Sequence, residues 1–429
     1  MNTVHCPALL ISAPASGQGK TTVTAALARL YREQGQNVVV FKTGPDFLDP
    51  MILEQACGQP VYQLDLWMGG ETHCRQLLYK AACKANLILI EGVMGLFDGT
   101  TSSADLAELF GIPILAVIDA TAMAQTFGAI AYGLAHYHNK LPFAGVIANR
   151  VASLSHGDML AESLKDIPYI GALPRDKACE LPSRHLGLLQ ADEITDLNTR
   201  IDAAKKRLID AGFDYQPTAI AFKATQNQNI KPILQGMRIA VARDPAFAFV
   251  YKANLEILNE MGAELYYFSP LKDNTLPDAD SLYLPGGYPE LHLDTLGKNT
   301  AMHEAIKLHQ QQGKPIVAEC GGMLYLLKTL TNKEGQSQNM VGLLDGHATM
   351  QQRLSNLGMH SVELPEGKMH GHTFHHSSLQ TSMAPITTSK STRKRGKGEA
   401  IYRQERLHAS YLHMYFPSNP EASARLFMP

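Results

Sequence analysis

One segment constrains the fold of this chain more than any other. Ile11–Thr24 reads ISAPASGQGKTTVT: the apolar run Ala8–Ser12 enters a loop of small residues, which opens into the good helix formers of Thr21–Gln34. A glycine-rich turn between a strand and a helix is the setting of a P-loop, where inward-turned backbone N–H groups and the helix N-terminus hold a polyphosphate. Gly17 and Gly19 permit the turn, Lys20 answers β/γ-phosphate charge, and Thr21, followed by Thr22, offers a hydroxyl to Mg²⁺. The first glycine of the usual spacing is Pro14 here. The segment predicts an ATP site built on Gly17, Gly19, Lys20, Thr21 and Thr22; the alternative is a glycine-rich turn without a ligand.

Short apolar runs continue at Val38–Phe41, Leu87–Glu91, Ile114–Ile118 and Gly145–Ala148, with helical stretches between them. This alternation predicts a parallel sheet with helices on both faces. Ligands of such sheets bind beyond the carboxyl ends of the strands. Acids stand at those ends: Asp46 and Asp49 in KTGPDFLDP, Glu91 and Asp98 in EGVMGLFDG. Asp46 and Glu91 are the candidates to hold Mg²⁺ or its water, and Asp49 and Asp98 to meet the substrate. Each acid alone also reads as turn chemistry. Asn149, after the last of these strands, is a candidate to recognise the base.

Composition narrows the classes. Of 429 residues, 38 are Lys or Arg and 40 Asp or Glu, a net charge of −2, which disfavours nucleic acid as the main partner. The length suits two or three domains. No apolar run approaches the ~18 residues of a membrane span, and no basic leader precedes the first strand, so the cytoplasm is the expected compartment. Six cysteines without a CxxC pair do not form a disulfide framework. Cys6, Cys57, Cys74, Cys83 and Cys179 are expected to be reduced and packed.

Ile194, Leu197, Ile201, Leu208 and Ile209 recur at helical spacing within Ala191–Ala211. The polar stretch KATQNQNIKP then marks a boundary, with a first domain over 1–222, a linker over 223–236 and a second domain over 237–429. Arg238–Ala242, Leu282–Leu284 and Ile316–Ala318 begin a second alternating series. In KPIVAECGGM a buried strand ends at Cys320 before two glycines, as in a nucleophile elbow. The following helix N-terminus is expected to lower the thiol pKa. The Gly321 N–H, with Gly286–Gly287 of LPGGYPE, would face a developing oxyanion. A thiol nucleophile needs a base, and ASYLHMY offers His413. The histidines between His360 and His376 lack clean metal-ligand spacing and read as structural or substrate-contacting. Thr387–Gly398 reads as a solvated hairpin tip.

Taken in order, ASGQGKTT, FKTGPDFLDP, EGVMGLFDG, LPGGYPE, AECGGM and ASYLHMYF resemble the cobyrinate a,c-diamide synthase family of cobalamin biosynthesis, over essentially the whole chain. The resemblance implies an α/β protein of two domains: a P-loop parallel-sheet domain related to dethiobiotin synthetase, then a class I glutamine amidotransferase-like α/β domain. It implies that Cys320 attacks the amide of glutamine, that His413 acts as base and then acid, and that Gly287 and Gly321 line the oxyanion hole. ATP would convert a carboxylate to an acyl phosphate, which ammonia displaces, at the c and a acetates of cobyrinate. It implies a homodimer whose partners are cobyrinate, glutamine and ATP, with no nucleic acid and no membrane. Hydrogenobyrinate and nickel sirohydrochlorin are alternative acetate-bearing substrates. The usual triad pattern is His-x-Glu, and here the residue two after His413 is Tyr415. The family variant also lacks that Glu, so the partner that orients His413 stays open and a slow glutaminase is expected. A P-loop switch ATPase would use Lys20 but has no use for Cys320.

Overall fold

The computed structural model describes residues 2–184, 187–225 and 230–429. The chain separates into two compact units, one over 1–227 and one over 228–429. Residues 226–229 of the expected linker lie outside the described residues.

The first unit is built on an eight-stranded sheet. Its strands are β1 (Thr3–Ser12), β2 (Val38–Thr43), β3 (Tyr62–Leu64), β4 (Leu87–Glu91), β5 (Ile114–Asp119), β6 (Phe143–Val151), β7 (Tyr169–Pro174) and β8 (Ala219–Lys223). The order β3-β2-β4-β1-β5-β6-β7 is parallel throughout. β8 returns antiparallel along the first half of β1, an addition that the alternating pattern does not announce. The runs are apolar without alternation because both faces are covered. Ala8, Leu10, Ile88, Ile90, Ala116 and Ile118 feed one core; Leu9, Ile11, Leu87, Leu89, Leu115 and Val117 feed the other. Helices α1 (Lys20–Glu33), α2 (Leu48–Cys57), α3 (Gly70–Ala82), α4 (Ser103–Phe110), α5 (Thr126–His136), α6 (Leu154–Ser163) and α7 (Leu197–Asp210) make the covering layers.

Two expectations are corrected here. Spacing groups Ile209 with the apolar stripe of α7, but it is 49% exposed while Leu197, Ile201 and Leu208 are buried. One residue past Leu208 is a ~100° turn of the helix, which carries Ile209 off the packed face. Cys83, expected to be packed, is exposed at the C-terminal end of α3; the other five cysteines are buried, and all six are free thiols.

The second unit carries a seven-stranded sheet. Strands β9 (Arg238–Ala242), β10 (Glu264–Phe268), β11 (Ser281–Leu284) and β12 (Ile316–Glu319) are followed by β13 (Asn356–Leu364), β14 (Gly367–His375), β15 (Thr387–Thr388), β16 (Ala400–Gln404), β17 (Leu407–Ser410) and β18 (His413–Met414). The order β10-β9-β11-β12-β17-β16-β15 is parallel from β10 to β17 and antiparallel beyond. β13, β14 and β18 form a separate small sheet with Lys390–Ser391. The helices are α8 (Lys252–Glu260), α9 (Leu293–Lys298), α10 (Thr300–Gln311), α11 (Gly321–Leu326) and α12 (Pro420–Phe427). Of the expected solvated tip over Thr387–Gly398, only residues 393–398 form an unbroken exposed run: Thr387–Thr388 and Lys390–Ser391 pair into two sheets, and Ser389 between them is buried. Among the described residues no helix is long and apolar enough to cross a membrane.

Candidate active sites

In the first unit the turn from β1 to α1 holds Gly17 and Gly19 at φ +79° and +87°, in the left-handed region that favours glycine. A Cβ on Gly19 would lie 2.1 Å from Asn149 Nδ2. Asn149, at the end of β6, donates that amide to the Gln18 carbonyl at 2.7 Å. So placed, it braces the loop from beneath. Its neighbour Arg150 reaches the Gly17 carbonyl at 3.3 Å and Asp119 at 2.5 Å. Lys20 is buried and donates to the carbonyls of Met94 (2.6 Å) and Ala15 (3.2 Å). Burial, then the nearby Lys42 charge, pulls its pKa below the ordinary lysine value. Thr22 is half-buried in the first turn of α1.

Beside the loop lies a buried ionic cluster whose centre is Lys42, a residue the motif reading does not single out. Its ammonium meets Asp49 Oδ2 at 2.6 Å and Glu91 Oε1 at 2.9 Å. Lys42 and Glu91 are register partners on β2 and β4, so the pair is fixed by strand pairing. The signal is present in the sequence: a lysine in an apolar strand is almost never buried without a partner. Burial opposes the Lys42 charge, but the carboxylates of Asp49, Glu91 and Asp46 hold its pKa above the ordinary value. Asp49 stays below the usual carboxylate value despite burial, because Lys42 faces it. Burial, with Asp49 nearby, raises Asp46 to about 7. Asp46 also caps the turn into α2 by accepting the Leu48 N–H at 3.0 Å. Asp98 closes its own loop, accepting the Gly95 N–H at 2.9 Å.

Glu91 is raised by burial, against the pull of Lys42. Its Oε1 accepts from Lys42 and from Thr21 Oγ1 at 2.8 Å, while Oε2 is buried without a hydrogen-bond partner among the described residues. A hydroxyl next to an unsatisfied buried carboxylate oxygen suits Mg²⁺, which takes one or two protein oxygens and completes its shell with water and phosphate.

In the second unit Cys320 stands between β12 and α11 at φ +45°, ψ −107°, a strained conformation for a residue with a side chain. Its N–H donates to the Ser410 carbonyl at 2.7 Å, which ties the turn to β17. Four glycines let the surrounding backbones close on one another. A Cβ would lie 2.8 Å from Gly287 N if built on Gly321, 2.0 Å from the Leu284 carbonyl on Gly322, 2.0 Å from the Ala246 carbonyl on Gly287, and 2.2 Å from His413 Cε1 on Gly286. Gly287 and Gly321, the two candidates for an oxyanion hole, are therefore neighbours, with His413 against Gly286.

The expected lowering of the thiol pKa is not found. Burial, with Glu290 close by, pushes Cys320 well above its ordinary value. The six-residue α11 contributes little dipole to oppose this. Burial, aided by His375, lowers His413 to about 3. Burial thus favours the neutral form of both the Cys320 thiol and the His413 imidazole. Glu319, just before Cys320, receives the Met414 N–H at 3.0 Å and the Tyr283 hydroxyl at 2.9 Å, and so pins the His413 strand to the Cys320 strand. Burial raises it to about 8.

Comparison with known proteins accounts for both halves. Residues 9–189 match the CobQ/CobB/MinD/ParA nucleotide binding domain, and residues 238–421 the CobB/CobQ-like glutamine amidotransferase domain. The chain is 59% identical to the hydrogenobyrinate a,c-diamide synthase of Stutzerimonas stutzeri, covering 100% of each chain. It is 57% identical to that of Pseudomonas aeruginosa, over 100% of this chain and 99% of the relative. Against the cobyrinate a,c-diamide synthase of Herminiimonas arsenicoxydans it is 47% identical, over 98% and 96%. With relatives of this identity matched along their whole length, the chain belongs to the cobyrinate and hydrogenobyrinate a,c-diamide synthase family.

Proposed function

We propose that this chain amidates the a and c acetate carboxylates of cobyrinate, with glutamine as nitrogen donor and ATP as activator. The observation that carries the reading is the joint presence of a P-loop beside a buried carboxylate cluster and a strained Cys-Gly-Gly turn in one chain. The first unit makes a leaving group, because a carboxylate is a poor electrophile at neutral pH. The P-loop N–H groups and Lys20 hold the phosphates of ATP. The substrate carboxylate attacks the γ-phosphorus, the bond to the β-bridging oxygen breaks, and ADP departs with that electron pair. Thr21, Asp46 and Glu91 would hold Mg²⁺ or its water, and the bound ion would supply charge neutralisation to the phosphates. Lys42 holds the buried Asp49 below the usual carboxylate value, and Asp49 and Asp98 would meet the substrate.

In the second unit Cys320 attacks the glutamine amide carbon while His413 takes the thiol proton. Gly287 and Gly321 donate to the oxyanion, and His413 returns the proton to the departing ammonia. Water then releases glutamate from the thioester. Ammonia displaces phosphate from the acyl phosphate, and the cycle repeats at the second acetate. A cytoplasmic homodimer, engaging neither nucleic acid nor membrane, completes the proposal.

The identities of the Stutzerimonas and Pseudomonas relatives favour hydrogenobyrinate as a second substrate reading. Mass spectrometry after incubation with either tetrapyrrole, ATP, Mg²⁺ and glutamine tests both. Two successive carboxylate-to-amide conversions requiring every component are expected. Amidation of hydrogenobyrinate alone moves the substrate, and no conversion of either overturns the reading.

A further inference from the structure

The position two residues after His413 carries Tyr415, so no carboxylate there orients the imidazole. We propose that His372, held by Tyr251, is the positioning residue for His413. The inference rests on the reading of Cys320 and His413 as a glutamine-hydrolysing pair.

Strand register supplies the first observation: on β14 and β18, His372 and His413 are direct cross-strand partners. Such partners present their side chains to one another on the same face of a sheet. The two rings stack with centroids 5.0 Å apart and planes 20° from parallel. The approach is close because β14 carries Gly371 opposite Met414; a Cβ there would lie 2.1 Å from the His413 carbonyl. The second observation is the anchor of His372 itself. Tyr251 Oη lies 2.7 Å from His372 Nδ1, and both residues are buried. Tyr415 packs edge-on against Tyr251, centroids 5.3 Å apart. The residue at the usual carboxylate position therefore acts on the base through Tyr251 and His372. Asn254 locks this arrangement by donating to the Met414 carbonyl and accepting the Phe416 N–H, each at 2.8 Å. Gly286 bounds the Cε1 edge of His413.

This device differs chemically from a carboxylate. A stacked neutral ring fixes the plane of the imidazole without neutralising the imidazolium that forms when Cys320 gives up its proton. Burial and the neighbouring His413 keep His372 far below its ordinary pKa, consistent with a neutral stacking partner. His375, on the same strand, belongs to another arrangement: it faces Glu399 at 3.0 Å and stacks on Tyr411 at 3.7 Å.

Steady-state kinetics on the full chain test the inference, with glutamine hydrolysis, glutamine-supported amidation and ammonia-supported amidation measured in parallel. His372→Ala is expected to lower kcat with glutamine by on the order of 100-fold, the scale of a misplaced catalytic group, with KM for glutamine held within about twofold. His372→Phe, which keeps a flat ring, should recover about tenfold of that loss, and Tyr251→Phe should cost roughly tenfold. Ammonia-supported amidation is the folding control. A kcat within twofold of the parent in His372→Ala overturns the inference, as does a fall shared equally by ammonia-supported amidation or a change confined to KM. If the parent chain shows no glutamine hydrolysis that Cys320→Ala removes, the underlying reading fails and the inference falls with it.

Discussion

Gly286 occupies a place that no larger residue can take without moving His413, the proposed base. A methyl group there would stand 2.2 Å from His413 Cε1, far inside van der Waals contact. Gly286→Ala is therefore expected to cut glutamine-supported activity by about 100-fold while ammonia-supported amidation persists, since 1 Å of displacement costs on that order. Equal rates with glutamine would show that the imidazole has room to shift. Glu319 gives a prediction about pH. Burial raises it from an ordinary 4.5 to about 8, so between those values the native state keeps a proton that the unfolded chain releases. Its contribution to stability is whole below about pH 4.5 and is lost as pH rises through about 8. Glu319→Gln retains an acceptor for the Met414 N–H and should flatten that decline, read by urea unfolding at about pH 5 and about pH 8.5. An unchanged slope would assign the decline to other groups. At this scale the sequence reveals residues whose role is local. Lys20 and Cys320 stand in turns whose neighbours are adjacent in the chain. Lys42, Tyr251 and His372 are not legible in the same way, because their partners come from strand register and from packing across 121 residues in the case of Tyr251 and His372.

At the scale of elements, the acids cluster at and just beyond the carboxyl ends of β2 and β4, and the helix beyond each end holds its loop in shape. α4 begins with a capping box: Ser102 Oγ accepts the Asp105 N–H at 3.1 Å, and Asp105 Oδ2 accepts the Ser102 N–H at 2.7 Å. Two residues separate the cap from EGVMGLFDG, with Ser102 buried and Asp105 exposed. Ser102→Ala should cost about 1 kcal/mol, the usual worth of such a cap. For a unit of this size that is a fall in Tm of ~2–4 °C. Calorimetry checks it, and a shift below 1 °C, set against that ~2–4 °C scale, would mean that the tertiary contacts of α4 make the cap redundant. The parallel strands are legible because burial on both faces leaves uninterrupted apolar runs such as LILIE. β8 is not, since its alternating exposure reflects one-sided pairing at the start of β1. The small sheet of β13, β14 and β18 is equally hidden: β18 has two residues, and its place is set by Gly371, Asn254 and Glu319.

At the scale of the whole molecule, the chain holds two compact units and two chemistries, neither of which suffices for the proposed product. The P-loop unit can activate a carboxylate but needs ammonia, which is mostly protonated at neutral pH. The cysteine unit can release ammonia but, with its thiol held above its ordinary value and His413 lowered to about 3, begins from an uncharged pair. With His413 as the proposed base, no inflection near pH 6.5 is expected in the glutamine reaction, and with Cys320 as the proposed nucleophile starting as a thiol, slow hydrolysis in isolation is expected. Two substitutions separate the halves. Cys320→Ser should abolish amidation from glutamine yet leave amidation from concentrated ammonium salts within about threefold of the parent, because the activating unit is untouched. Lys20→Met should remove both, by about 100-fold or more, because without phosphate neutralisation no leaving group forms. Glutamine hydrolysis in the Lys20→Met chain should stay at its low resting rate whether or not ATP and the tetrapyrrole are present. The parent should hydrolyse glutamine faster when both are added. Equal resting and stimulated rates in the parent would show that the resting pair is already fully competent, and that its uncharged state does not restrain it.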